Sequence, residues 1–236
     1  MKRSDVHRFS FIERVVHWLV GITFVFLLLT GLAFSHPSLF WITTLVGGGP
    51  AARILHPWIG IVYSAGLIAM VALWIREMGI GREDLGWLKA VRHYAVHDKE
   101  KVPPVGKYNP GQKLFFWFMG AIGVVHLVSG IPLWFPDGVL GLGPFYGSPA
   151  NVLRLLHYGT TVAGGLLLIV HVYLGTLAFP GTARGMLHGS VSPAWARHHH
   201  PLWDPESGAG AGEHSAVGEH TNAGSLRSKA GSPPPS

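Results

Sequence analysis

Four long intervals of this 236-residue chain contain no Asp, Glu, Lys or Arg. Because a helix needs about 20 apolar residues to cross the hydrocarbon core of a bilayer, each interval has room for one membrane-spanning helix. Segments rich in Gly and Pro separate the first two intervals and also the last two. The sequence therefore predicts an all-α membrane protein, with four transmembrane helices near residues 14–35, 52–75, 112–135 and 149–178.

The composition agrees with a lipid environment. Hydrophobic residues make up 48% of the chain and charged residues only 13%, against roughly 25% charged residues in a typical soluble protein. The absence of cysteine excludes disulfide bonds and iron–sulfur clusters held by this chain. The formal net charge of +6 is explained by membrane topology, so the lipid bilayer is the predicted partner and nucleic acid is not.

The positive charges predict the orientation of the helices. Of the 18 Lys and Arg residues, only Arg53 and Arg154 fall on the side reached by the first interhelical loop and the third. The positive-inside rule then places both termini and the central loop in the cytoplasm. We predict a membrane domain over residues 1–204 and a disordered, Gly/Ser/Pro-rich cytoplasmic tail over residues 205–236.

Five histidines lie inside the predicted helices, where an ionisable residue is costly and usually functional, and four of them can be paired by depth. His17 lies near the cytoplasmic side of the first helix, and His56 lies near the outer side of the second. His157 and His171 lie at the outer and inner ends of the fourth helix. A spacing of 14 residues places these two on nearly one helix face, about 21 Å apart along the axis.

Imidazole is a usual axial ligand of haem iron, so two histidine pairs at two depths predict a di-haem cytochrome b. We expect His17 and His171 to hold an inner haem, and His56 and His157 to hold an outer haem. Without cysteine, both groups must be bound without thioether links, as haem b is. Gly21, Gly60 and Gly175 each follow a candidate ligand by four residues; glycine there leaves space for a flat macrocycle, although small residues also promote helix packing.

Other histidines have simpler interpretations. We interpret His126, in the third helix, as a residue beside the outer haem or as a polar contact between helices. The alternative is that His126 is itself an axial ligand. The His198-His199-His200 run is interpreted as a short basic tract at the membrane surface rather than as a metal site.

Several motifs give the chain a specific resemblance over about residues 7–204. They are Phe11-Ile12-Glu13-Arg14, Arg53-Ile54-Leu55-His56-Pro57, the run from Gly106 to Lys113, and the closing run from Trp195 to Trp203. With these motifs the chain resembles the gamma subunit, a di-haem cytochrome b, of respiratory membrane-bound formate dehydrogenase. His126 departs from that pattern, which has an apolar residue in this part of the third helix.

The resemblance implies an electron-transfer subunit that reduces quinone, while formate is oxidised elsewhere. The implied partners are an iron–sulfur beta subunit and a molybdenum or tungsten alpha subunit. Asn109 and Gln112 match the family's quinone motif, and menaquinone or ubiquinone is the implied acceptor. From the residues alone, Asn109-Pro110-Gly111 is equally a cap for the third helix.

Two alternatives stay open at this point. A cytochrome b subunit of a hydrogenase or a thiosulfate reductase would share the four histidines. A haem-free membrane anchor, or a transporter that uses histidines as a proton relay, would explain polar residues in the membrane without ligands paired by depth.

Overall fold

The computed structural model describes residues 5–96, 98 and 101–203, and within them the chain is almost entirely helical. Four helices are long and apolar enough to cross a membrane, which confirms the predicted helical class. They are α1 (Phe11–Ser35), α2 (Gly48–Trp74), α5 (Pro110–Trp134) and α6 (Ser148–Tyr173), and α6 continues as a π-helical turn over Leu174–Ala178. The tail predicted over residues 205–236 lies outside the described residues.

Helices α1 and α5 begin earlier than predicted because their amino ends are capped by polar side chains. Ser10 and Glu13 form a capping box at the start of α1, in which the Ser10 hydroxyl accepts from Glu13 N and the Glu13 carboxylate accepts from Ser10 N. Asn109 and Gln112 form the same device at α5. The charge-free intervals omitted these first turns, so the predicted starts at 14 and 112 were three and two residues late. The predicted starts at 52 and 149 were four residues and one residue late, at helices whose amino-terminal caps are glycines.

The four long helices form a closed ring. α1 packs on α2, α2 on α5, α5 on α6, and α6 on α1, so α2 and α6 face each other diagonally across the bundle. Small residues allow the close approaches, since a Cβ atom at Gly66 would lie 3.1 Å from Val20 Cγ2 and one at Gly164 would lie 2.9 Å from Phe24 Cζ. Such contacts replace the hydrophobic drive that membrane helices lack.

Short elements cover the two ends of the bundle. At one end of the bundle, called the outer side after the predicted orientation, a 3₁₀ helix over Pro37–Val46 joins α1 to α2. On the opposite side, strands β1 (Val6–His7) and β2 (Ser190–Val191) pair antiparallel and hold the segment before α1 beside residues 190–191. Four surface helices complete this inner side: α3 (Arg82–Lys89), α4 (Val91–Ala95), α7 (Thr182–His188) and α8 (Pro193–His199).

Candidate functional site

The four membrane histidines lie in two pairs at opposite ends of the bundle. The ring centroids of His17 and His171 are 6.1 Å apart, and those of His56 and His157 are 6.3 Å apart. Two imidazoles that bind one metal from opposite sides, at about 2 Å per bond, have centroids roughly 6 Å apart. Each pair therefore has the spacing of a bis-histidine metal site.

The outer pair is held by hydroxyl groups from neighbouring helices. Thr30 Oγ1 lies 2.7 Å from His56 Nδ1, and it also donates to Phe26 O at 2.8 Å. Ser129 Oγ lies 2.8 Å from His157 Nδ1, and it donates to Val125 O at 2.6 Å. Because each hydroxyl proton is directed to a helix carbonyl, the hydroxyl oxygen accepts from Nδ1–H. The Nε2 lone pair of each imidazole is thereby left for a metal.

The sequence contains a pattern that could have revealed these hydroxyls. Thr30-Gly31 on α1 and Ser129-Gly130 on α5 are the same kind of dipeptide in matching helices. A Cβ atom at Gly31 would lie 3.7 Å from His56 Cε1, and one at Gly130 would lie 3.3 Å from His157 Cε1. In each dipeptide the hydroxyl therefore binds the imidazole and the glycine leaves room for its ring.

An open cavity of about 360 Å³ adjoins the outer pair. His56 and His157 line it together with Gly60, Tyr158 and Thr161. A Cβ atom at Gly60 would meet nothing within 4 Å, and the same holds at Gly21 and Gly175 beside the inner pair. Space beside the imidazoles, at the glycines predicted to provide it, fits a flat macrocycle.

Among the described residues, the inner pair has fewer polar partners than the outer pair. His17 Nδ1 is buried and has no hydrogen-bond partner among the described residues. The His171 ring stacks against Phe115, with centroids 4.4 Å apart and planes inclined by 10°. Aromatic contact, rather than hydrogen bonding, therefore orients the imidazole at this end of the bundle.

His126 lies beside the outer pair. Its ring centroid is 5.0 Å from that of His157, and its Nε2 lies 3.2 Å from Thr161 Oγ1. Thr161 in turn donates to His157 O at 2.7 Å, so its oxygen accepts from His126. His126 thus makes a polar contact between α5 and α6 at the wall of the outer cavity.

The donor set of each pair fits a porphyrin better than a bare metal ion. Among the described residues, no group of three or more His, Cys, Asp or Glu side chains is arranged to hold a metal. A pair of imidazoles offers two axial nitrogens, and a porphyrin supplies the four equatorial nitrogens. The residues present therefore fit haem at both sites.

Asn109 and Gln112 lie where α5 begins, on the inner side, and their side-chain oxygens are already bonded. Asn109 Oδ1 accepts from Gln112 N at 2.9 Å, and Gln112 Oε1 accepts from Asn109 N at 2.9 Å. Asn109 is buried, and its Nδ2 donates to Tyr94 Oη at 3.4 Å. The amide nitrogens are thus the groups still able to donate to a ligand carbonyl.

Tyr94 is a residue of this region that the sequence did not point to. It extends from α4, stacks against Phe179 with centroids 4.7 Å apart, and also contacts Trp87. Burial raises the pKa of Tyr94 to about 12, and the hydrogen bond from Asn109 opposes that shift only partly. Its hydroxyl therefore keeps its proton at neutral pH.

A buried arginine anchors the loop that leads into α5. Arg8 is 4% exposed, its Nη2 donates to Lys107 O at 2.9 Å, and its guanidinium lies 4.6 Å from the Trp195 ring. Burial lowers the pKa of Arg8 to about 10, so it stays charged at pH 7. No pattern in the sequence distinguished Arg8 from the other basic residues at the amino end.

His200 fastens the same loop, which corrects its interpretation as a surface residue. It is 3% exposed, and its Nδ1 donates to Gly106 O at 2.7 Å. Leu202 N also donates to Val105 O at 3.1 Å. The closing run from Trp195 to Trp203 therefore packs on the run from Gly106 to Lys113, because burying the loop backbone requires partners for its carbonyls.

Comparison with known proteins identifies the class of this chain. A family model described as prokaryotic cytochrome b561 matches residues 8–189. The chain belongs to this family of membrane cytochromes, whose cofactor is haem b and whose role is electron transfer. The resemblance inferred from the sequence motifs is confirmed at this level.

Individual relatives are more specific. The chain is 37% identical to the cytochrome b556(fdo) subunit of formate dehydrogenase from Escherichia coli K12, over 86% of this chain and 94% of that protein. It is 33% identical to the nitrate-inducible formate dehydrogenase cytochrome b556(Fdn) subunit of the same organism, over 86% of this chain and 91% of the relative. A formate dehydrogenase cytochrome b556 subunit from Haemophilus influenzae is 31% identical, over 80% of this chain and 78% of that protein.

Proposed function

We propose that this chain is the cytochrome b subunit of a membrane-bound formate dehydrogenase, which carries electrons from an iron–sulfur partner across the bilayer to quinone. The names of three relatives support the formate dehydrogenase assignment over a hydrogenase or thiosulfate reductase complex. The observation that carries the electron-transfer part is the presence of two histidine pairs, at 6.1 and 6.3 Å, near the two ends of α6.

Each histidine pair would bind one haem b, which supplies a one-electron redox centre when bound. His17 and His171 are the proposed axial ligands at the inner site, and His56 and His157 are the ligands at the outer site. Thr30 and Ser129 fix the outer imidazoles through Nδ1, at 2.7 and 2.8 Å. Gly21, Gly60 and Gly175 leave the space that a macrocycle needs.

The arrangement of charges supports an orientation in a bacterial inner membrane with both chain ends in the cytoplasm. The paired strands β1 and β2 bring residues 6–7 and 190–191 to the end of the bundle that also holds the loop before α5. This end carries most of the Lys and Arg residues. The iron–sulfur beta subunit and the molybdenum or tungsten alpha subunit would then dock at the outer, periplasmic side.

Quinone would be reduced at the inner side, next to His171. Phe115 stacks on the His171 ring and lies one helical turn after Gln112, so the start of α5 reaches the inner pair. The amide nitrogens of Asn109 and Gln112 are the proposed donors to a quinone carbonyl, because their oxygens close the capping box. Arg8 and His200 hold the preceding loop in place through Lys107 O and Gly106 O.

The test is a pyridine haemochrome assay and a reduced-minus-oxidised spectrum of the purified complex that contains the full chain. Two b haems per chain, with formate-dependent reduction of a quinone analogue, are expected. A haem-free chain in a folded complex would exclude the electron path. Two haems that formate does not reduce would keep the cytochrome and exclude the formate dehydrogenase assignment.

A further inference from the structure

The two arginines of the outer side occupy matching positions next to the outer histidines. Arg53 precedes His56 by three residues, and Arg154 precedes His157 by three residues. Helix residues three apart share a face, with about 5–6 Å between their Cβ atoms. Because α2 and α6 both begin at the outer side, each arginine lies one turn nearer to the outer surface than its histidine.

Both arginines line the outer cavity together with His56 and His157. This placement is not required by membrane topology, since an arginine at a helix end can equally extend to lipid headgroups. Arg154 Nη1 makes one neutral hydrogen bond, to Asn151 Oδ1 at 3.1 Å. Two cations from opposite helices therefore face one cavity.

The protein provides no matching anions on that side. The outer segments at residues 36–52 and 135–153 contain a single carboxylate, that of Asp137, and Tyr146 donates a hydrogen bond to it. Among the described residues, neither arginine forms an ion pair with a carboxylate. The amino-terminal ends of α2 and α6 add partial positive charge at the same level. The lining of the outer cavity thus carries two unbalanced positive charges.

We propose that Arg53 and Arg154 bind the two propionate carboxylates of the haem held by His56 and His157. Guanidinium and carboxylate groups form paired, charge-assisted hydrogen bonds, and the two arginines match the two propionates of one haem b. The repeated order of arginine, two aliphatic residues and histidine then has a single explanation: each helix provides an axial ligand and an anchor for a carboxylate. This inference rests on the proposed haem ligation by the outer pair.

The arginines have a second consequence, which concerns electron affinity. A fixed positive charge near a redox centre favours the state that carries one more electron, so both arginines raise the reduction potential of the outer haem. An arginine that binds a lipid phosphate instead has its charge neutralised there, and its removal leaves the potential unchanged. The reduction potential of the outer haem therefore distinguishes arginines that bind the haem propionates from arginines that bind a lipid phosphate.

The experiment is a spectroscopic redox titration of the purified complex with wild-type chain, Arg53→Gln, Arg154→Gln, the double glutamine variant and the double lysine variant. We expect each glutamine substitution to lower the outer potential, and the double variant to disfavour reduction about tenfold, equal to about 59 mV for one electron. The inner haem, at the opposite end of α6, should keep its potential. The lysine variant, which keeps the charge, should recover most of the shift.

Measuring the haem content shows whether a negative result contradicts this inference or the proposed function. Two haems in the wild-type chain establish haem binding independently of either arginine. Loss of the outer haem from the double glutamine variant, with retention in the lysine variant, would also support carboxylate binding. Unchanged potentials in a double glutamine variant that keeps both haems would overturn the inference, and so would equal shifts at the outer and inner haems.

Discussion

The outer and inner histidine pairs have nearly the same spacing but very different surroundings. Around the outer pair, helices α1 and α2 form the same arrangement as helices α5 and α6. In each pair of helices, a hydroxyl residue followed by glycine on the first helix contacts the histidine of the second, which follows an arginine by three residues. The inner pair lacks this repetition. His17 Nδ1 has no hydrogen-bond partner among the described residues, and an aromatic ring packs on His171.

The difference shows how one bundle can prepare two sites for different tasks. Hydrogen bonds at Nδ1 fix the tautomer and orientation of a ligand and increase its basicity, so the outer site is rigid. Under the proposed function, the inner site adjoins the loop whose amide nitrogens at Asn109 and Gln112 would donate to quinone, so it would have to admit a substrate as well as a cofactor. We interpret the outer site as built for electron entry and the inner site as built for exchange with quinone.

Removal of an axial ligand should have the largest effect, and it should affect only one of the two haem sites. His17→Ala or His171→Ala should lower haem content from two to one per chain and abolish quinone reduction, because an imidazole provides each axial bond. His56→Ala or His157→Ala should remove the other haem. Pyridine haemochrome assays would measure this, and His126→Ala is the control that should retain two. Two haems in an axial-ligand variant would contradict the assignment.

Removal of the hydroxyl groups that contact the outer histidines should have the next largest effect, which should appear at the outer site. Thr30→Val and Ser129→Ala should each weaken haem binding at the outer site by about 10- to 100-fold, since such supporting contacts typically have that effect on metal affinity. Haem titration of the haem-depleted protein would measure the change. Thr23→Val is the matched control, because Thr23 also donates to a helix carbonyl, at 2.7 Å, but forms no hydrogen bond to a histidine among the described residues. Equal losses in all three variants would indicate a general packing effect.

Asn109 offers a sharper test of the inner side. Asn109→Asp keeps an oxygen for the capping box but removes the amide donor, so kcat/KM for quinone reduction should fall about tenfold, the value of one hydrogen bond. Haem spectra should stay the same. Asn109→Ala also loses the cap, which contributes about 1 kcal/mol to stability. Wild-type turnover in the Asp variant, with intact haems, would remove Asn109 from the quinone site.

The smallest effect is expected from added methyl groups beside the rings. Gly21→Ala at the inner site and Gly60→Ala at the outer site should each weaken haem binding about fivefold, equal to about 1 kcal/mol, because the methyl group enters the space kept for the macrocycle. The haem-free fold should tolerate both, since a Cβ atom there meets nothing within 4 Å. Gly159→Ala is equally open in the structure and serves as the control. Equal affinity in all three variants would show that the glycines serve helix packing alone.

Much of the fold followed from local properties of the chain. Charge-free intervals predicted the four long helices, and the depths of His17, His56, His157 and His171 predicted which rings would meet. These predictions succeed because the bilayer imposes one length on every span, so position along the chain specifies depth. The helix starts were predicted less well, since the capping residues Ser10 and Asn109 lie outside the apolar runs.

Sequence alone thus determined the class of protein and the family to which it belongs, and it predicted which histidine rings lie together. Only the tertiary structure showed that Thr30 and Ser129 hold the outer imidazoles, that Arg8 and His200 fasten the loop before α5, and that Arg53 and Arg154 face one cavity. The physical reason is that depth is set by the number of residues along a helix. Contacts between helices depend instead on how each helix is rotated about its axis, which packing of the whole bundle decides.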